Sequence, residues 1–426
     1  MDPALVTAPA VSDALAVSDA LVATGALAVE PPDRSGLGVA EFRAELREFL
    51  RAHHPGPTPR DRAERLAFLR AWQATLTDLG WVAPGWPRRW GGMGLPAALQ
   101  AAYHREMALG RAPVPPTNAV GIVGPTLLRD GTDAQRERYV RPMLRADELW
   151  CQGFSEPDAG SDLAALRTRA VLDGGLDGDP AHGVYRVTGR KIWSTNAPVA
   201  HRMLLLARTG TQEERSRGIT CLVVDMAAPG VTVHPVRDMT GATGFAEIVL
   251  DGVVVPTADR IGAHGDGWRS ARATLGHERS TSLTAAALRY QRVVGDLVEL
   301  ARRRGRTGDP GVRQELARLV TGARLLELNG ARVLGRVLGG REPGPLSSVS
   351  RLQHAEFEQR LHEAAMRLLG ADGLLDAGDP RLRTDGRWVR GFLRTRASTI
   401  GAGTSEVQRN TIAEKVLGLP ADREET

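Results

Sequence analysis

A chain of 426 residues, 42% hydrophobic and 25% charged, is long enough for two or three domains with a large buried core. No apolar run reaches the roughly 18 residues a membrane helix needs, and Cys151 and Cys221 are too few for a disulfide framework and lack metal-ligand spacing, which fits a reducing, cytoplasmic setting. The net charge of +5 does not point to nucleic acid, because the arginines are scattered among acids and the richest cluster, Arg302-Arg303-Arg304-Gly305-Arg306, is short and has no aromatic interleaving.

Residues 1–36 are rich in Ala, Val and Pro, repeat the unit VSDAL, and have no basic residue before Arg34. They lack the charged start of a signal peptide and the arginines of an organellar presequence, so an extension without chemistry is expected. Residues 37–149 read as a helical domain. EFRAELREFLRAHH places Phe42, Leu46, Phe49 and Leu50 on one stripe, and RLAFLRAWQATLTDLG stops at Gly80. A Gly/Pro/Trp-rich connector, GWVAPGWPRRWGGMGLP, precedes further helix from about Ala97.

Between residues 150 and 262 the texture changes. VYRVTGRKIWST, HRMLLLAR, ITCLVVDM, VTVHPV and AEIVLDGVVVP are short β-like runs between Gly, Asp and Pro turns. With no helices between them, they predict an antiparallel sheet or small barrel rather than a dinucleotide-binding βαβ unit. Residues 263–426 return to long amphipathic helices that predict a bundle.

Two stretches of the β region suggest chemistry. CQGFSEPDAGSDL, from Cys151, describes a tight loop of small residues with exposed backbone N–H groups. GRKIWSTN sets Trp193 two residues before Thr195, so an extended strand offers a ring and a hydroxyl on one face. Near the C-terminus, TIGAGTSEVQRN is a glycine-loosened loop entering a helix, suited to close backbone approach of a flat ligand.

FSEPDAGSD with KIWSTN, GWPRRWGGMGL before them, FAEIVLDGVVVP after, and GTSEVQRNTIAEKVLGLP at the end resemble the acyl-CoA dehydrogenase family, in family order from about Leu37 to Pro420. The resemblance implies a helical N-terminal domain, a β middle domain and a C-terminal four-helix bundle, assembled as a homotetramer. It also implies FAD, an acyl-CoA or acyl-carrier thioester as substrate in lipid metabolism, and an electron-transfer flavoprotein as acceptor. Carried over by position, Gln152, Phe154 and Ser155 line the flavin, with Ser155 where the family usually has Thr. Ser161 reaches the flavin pyrophosphate or the pantetheine arm. Trp193 packs on the isoalloxazine, and Thr195 hydrogen-bonds near its N5. Thr404 and Glu406 hold the ADP half of FAD, and Arg304 reaches a neighbouring subunit's FAD phosphates. Gly370-Ala371-Asp372-Gly373 resembles a Gly-rich turn that meets a neighbour's FAD, with Ala371 and Asp372 where the family usually has Gly-Asn.

In many members a Tyr-Glu-Gly-Thr motif supplies the α-proton base, but here the matching residues are Gly401-Ala402-Gly403-Thr404. Isovaleryl- and long-chain-type members instead carry the base on a helix, in a Leu-x-x-Glu-Arg segment. TLGHERST puts Glu278 on that position, with Arg279 beside it on the substrate side. The Ala402 N–H and Gly403 are then left to meet the thioester carbonyl. Two alternatives stand beside a dehydrogenase with Glu278 as base: a base-deficient partner in a hetero-oligomer, and an oxygen-using flavin monooxygenase of the N-oxidase type.

Overall fold

The computed structural model describes residues 30–116, 118–174, 183–277, 283–341, 344–375, 379–381 and 386–421. The first 29 residues of the Ala/Val/Pro-rich extension therefore lie outside the described residues. The helical domain contains α1 (Val39–His53), α2 (Arg62–Asp78), α3 (Ala97–Leu109), α4 (Gly124–Asp130) and α5 (Asp133–Leu144). The stripe read from the sequence of α1 is the buried one: Phe42, Leu46, Phe49 and Leu50 all enter the core. Asp61 caps α2 by accepting from the N–H groups of Ala63 and Glu64. α5 opens on a reciprocal capping box between Thr132 and Gln135.

Glu106, on α3, is buried and ties α1 down. Arg43 Nε donates to its Oε1 at 2.6 Å and Arg47 Nε to its Oε2 at 2.7 Å. Burial pushes this carboxyl up, and the two guanidinium groups more than reverse that, leaving it below the ordinary carboxylate value. A depressed carboxylate stabilises the fold above its unfolded pKa, and that contribution is lost as pH falls through the folded value. Below the ordinary value of 4.5 the wild-type melting temperature is expected to fall more steeply than that of Glu106→Gln. Parallel pH profiles of the two proteins in thermal melts would remove Glu106 from the acid-sensitive set.

The middle region forms β1 (Trp150–Gly153), β2 (Arg169–Asp173), β3 (Val184–Thr195), β4 (Arg202–Arg208), β5 (Ile219–Asp225), β6 (Val231–Val236), β7 (Phe245–Pro256) and β8 (Arg260–Ile261). The order across the sheet is β6-β7-β3-β2-β4-β5-β8, with β1 paired to β4. Of the two forms anticipated, the open sheet is the one found. It is mainly antiparallel, but β4 runs parallel to both β1 and β2. Parallel neighbours need a crossover, and the β2–β3 hairpin serves as one between β1 and β4.

β4 and β5 are buried on both faces, which is why LLLA shows no alternation. Met203, Leu205 and Ala207 meet Leu222, Ile248 and Leu250 inside the β domain. Leu204, Leu206 and Val223 instead join the core of the helical domain with Leu127 and Trp150. One strand pair thus belongs to two cores and welds the domains together.

The C-terminal region comprises α6 (Gly267–His277), α7 (Leu283–Arg303), α8 (Pro310–Leu338), α9 (Leu346–Leu369), α10 (Arg387–Thr395) and α11 (Ser405–Lys415). α7 packs on α8, α8 on α9, and α9 on α10 and α11. Leu297, Ala301, Leu326, Phe357, Leu361, Ala365 and Trp388 lie in their common core. Among the described residues no helix is long and apolar enough to cross a membrane.

Candidate active site

β1 and the loop after it carry four of the residues singled out from sequence, and a buried ion pair fixes the start of the loop. Lys191, on β3, is fully buried and donates to Glu156 Oε1 at 2.8 Å and to the Phe154 carbonyl at 3.1 Å. Glu156 also accepts from the N–H groups of Arg167 at 2.6 Å and Thr168 at 2.8 Å. Burial holds the Lys191 ammonium below the ordinary lysine value even with Glu156 beside it. Burial pushes the Glu156 carboxyl up, and Lys191 with the loop hydrogen bonds brings it below the usual range. One further bond, from the Ile192 N–H to the Ser155 carbonyl at 2.9 Å, lays Phe154 and Ser155 along β3. Gln152 is half-buried on β1 and Phe154 is buried.

Trp193 follows in an unusual backbone state. The β3–β7 register advances from Lys191↔Ile248 to Ser194↔Ala246, so one extra residue is inserted on β3. Trp193 sits in that bulge with φ 61°, a left-handed conformation that L-residues with large side chains rarely adopt. Trp193 is 56% exposed, and its ring lies edge-on to that of Phe245, with centroids 6.1 Å apart. Thr195 ends β3 and is also exposed. Ser161 is exposed on the loop next to Asp162, which Arg215 holds at 2.7 Å.

A second group lies on the bundle. Ala402 and Gly403 form a left-handed turn, with φ 53° and 89°, and Arg351 braces it by donating to the carbonyls of Ser398 and Gly401 at 2.7 and 2.5 Å. The Thr404 hydroxyl caps α11 by accepting from the Val407 N–H at 3.2 Å, and Glu406 is exposed on the first turn. A left-handed alanine costs roughly 1–2 kcal/mol, more than the roughly 0.5–1 kcal/mol of chain entropy that glycine adds to unfolding. Ala402→Gly is therefore expected to raise the melting temperature slightly, and a fall in a thermal melt would contradict this account of the turn.

Arg304 stands apart from both groups. Its guanidinium pairs with the carboxylate of Asp372, on the turn that the resemblance sets against a neighbour's FAD, so this arginine is neutralised within its own chain. Glu278 and Arg279 lie outside the described residues; α6 ends at His277, immediately before them in sequence.

Sequence reasoning missed the Lys191–Glu156 pair and the left-handed conformations of Trp193 and Ala402. A signal for the pair existed: of 55 basic residues only Lys191 and Lys415 are lysine. Of the two, Lys191 is the buried one, where a compact ammonium meets Glu156.

Comparison with known proteins agrees with this architecture. Residues 39–147 match the model of the acyl-CoA dehydrogenase N-terminal domain, 151–253 that of the middle domain and 265–417 that of the C-terminal domain. Acyl-CoA dehydrogenase IpdE1 of Mycobacterium tuberculosis is 37% identical over 399 residues, covering 90% of this chain and 98% of IpdE1. Among solved structures, the Tcur3481-Tcur3483 steroid ACAD superposes with TM-score 0.76 at 28% identity, covering 90% of this chain and 98% of that one. The ChsE4-ChsE5 complex from Mycobacterium tuberculosis does so with TM-score 0.73 at 30% identity, over 90% and 97% of the two chains. The relatives are oxidoreductases acting on CH–CH groups, and this chain belongs to the acyl-CoA dehydrogenase family.

Proposed function

We propose that the chain carries out FAD-dependent α,β-dehydrogenation of an acyl-CoA thioester, with Glu278 as the base that removes the α-proton. Ala402 is the observation that carries this reading. The turn before α11 keeps a strained, braced geometry, yet presents a methyl group where the resemblance places a carboxylate. The base then has to reach the substrate from another element, and Glu278 follows α6 directly in sequence.

The residues present suit FAD. An exposed indole held in a bulge is an adsorption face for a flat heterocycle, and Thr195, two residues on, is exposed as well. Phe154, Ser155 and Gln152 would flank the ring, while Ser161, Thr404 and Glu406 would hold the polar remainder. FAD bound there supplies the acceptor for the β-hydrogen as hydride. The Ala402 N–H would donate to the thioester carbonyl and so acidify the α-protons. Glu278 would take one of them as the Cα–Cβ double bond forms, leaving a trans-2-enoyl thioester. An electron-transfer flavoprotein or similar carrier would then reoxidise the cofactor. The likeness to a steroid acyl-CoA dehydrogenase makes a bulky acyl group the first substrate class to try.

A hetero-oligomer is the second reading. The Arg304–Asp372 pair supports it, because a chain that neutralises its own phosphate-side arginine offers less to a like neighbour's FAD. Purification of the chain alone, its FAD content, and anaerobic flavin bleaching by acyl-CoAs of graded bulk decide between the two. Bleaching by the lone chain supports the dehydrogenase. FAD retention with no bleaching by any thioester would sink that reading, and FAD gained only on mixing with a second family member would establish the partner reading.

A further inference from the structure

At the seam between the helical domain and the sheet lies a cavity of about 10 Å³, just enough for one water molecule, which needs roughly 10–15 Å³. Gln73 of α2, Met143 of α5, Glu148 and Trp150 at the entry to β1, and Asn196 after β3 all line it. Gln73 is 1% exposed, on the face of α2 that lies against α5. Trp150 is 2% exposed and meets the ring of Tyr139 edge-on, with centroids 5.5 Å apart.

Three of these residues each hold one buried polar atom that finds no partner among the described residues: Gln73 Oε1, Glu148 Oε2 and Trp150 Nε1. The rest of each side chain fixes what that atom can do. Gln73 Nε2 donates to the carbonyls of Met143 at 3.0 Å and Leu144 at 2.8 Å, so the other end of the amide is the oxygen, an acceptor. Glu148 Oε1 accepts from Arg138 at 3.1 Å and from Arg202 at 3.1 and 3.3 Å, which leaves Oε2 as a second acceptor. The Trp150 indole N–H can only donate.

Two acceptors and one donor around a space of this size specify the occupant. A cation would face the indole N–H, and an anion would face the Glu148 carboxylate. Water supplies two O–H donors and a lone pair, the complement of the set, and about three hydrogen bonds are what a buried water makes.

We infer that one water molecule is built into this cavity, donating to Gln73 Oε1 and Glu148 Oε2 and accepting from Trp150 Nε1. It bridges α2 to β1 and, through Glu148, to Arg202 on β4, which Asp225 of β5 also holds. The helical domain and the sheet are then joined by a polar strut as well as by their shared apolar core. Asn196, left-handed at φ 63°, lines the same cavity directly after Thr195, so the water lies beside the turn that leaves β3. The assignment is independent of the acyl-CoA reading.

The test is a crystal structure of the full chain at a resolution that shows ordered water, with Gln73→Met/Trp150→Phe alongside. In wild type a single density peak is expected within about 2.7–3.2 Å of all three atoms. The double variant keeps only Glu148 Oε2, fewer than the two to four partners a buried water needs, and should lose the peak. In solution, the Trp150 indole proton of wild-type protein should show cross-relaxation with a long-lived water, an arm that holds even if the double variant does not fold. Loss of one indole resonance in Trp150→Phe identifies that proton. A direct bond from Trp150 Nε1 to Gln73 or Glu148, a cavity without density, or a peak with metal-like contacts of about 2.3–2.6 Å would overturn the assignment. So would a peak that persists in the double variant, or a Trp150 indole proton with no water contact.

Discussion

Glu278→Gln is expected to slow flavin reduction by a bound acyl-CoA about 10²–10⁴-fold, the usual contribution of a positioned general base. FAD content and melting temperature should stay at wild-type values. The argument is one of proton inventory. A thioester α-proton is weakly acidic, so it leaves only to a base within hydrogen-bond reach, and Ala402 has no atom that can accept it. Moving the carboxylate back is the complementary arm: Glu278→Gln/Ala402→Glu should recover part of the lost rate. Recovery should be incomplete, because position 402 has φ 53°, which a glutamate adopts at a cost. Stopped-flow bleaching of the single variant at the wild-type rate would eliminate Glu278 as the base.

The second large effect is expected at Lys191. Lys191→Met leaves the Glu156 carboxylate buried with its two backbone donors but without its counter-charge. Breaking a buried pair from one side costs about 3–5 kcal/mol, whereas replacing both partners is often close to neutral. Urea denaturation should therefore show a large loss for Lys191→Met and substantial recovery in Lys191→Met/Glu156→Gln. Because the pair anchors the start of the loop that carries Ser155 and Ser161, FAD retention should fall with the single variant. A loss under about 1 kcal/mol would mean that the pair behaves as a surface one. Lysine-selective labelling checks the burial independently: in native protein Lys415, with 66% of its side chain exposed, should react and Lys191 should not.

Trp193 shows how far sequence carried the site. Spacing alone put it on the same face as Thr195, and both are exposed. The bulge that frees the ring was not legible, because it depends on register against β7, some 50 residues further along the chain. The alanine at 402 was legible as a missing carboxylate, but not as a left-handed residue braced by Arg351, because Arg351 comes from another helix.

By itself the sequence determined the three-part order of helices, sheet and bundle, the buried stripe of α1, the family, and the absence of a base at position 402. These follow from local periodicity and residue type, which are written in neighbouring positions. Only the tertiary structure decided that the sheet is open with β4 parallel to β1 and β2, and that Lys191 is spent on Glu156. It also decided that Arg304 is spent on Asp372, and that Gln73, Glu148 and Trp150 converge on one cavity. Those outcomes depend on which charge meets which partner once distant segments pack, and a string of residues does not specify a pairing.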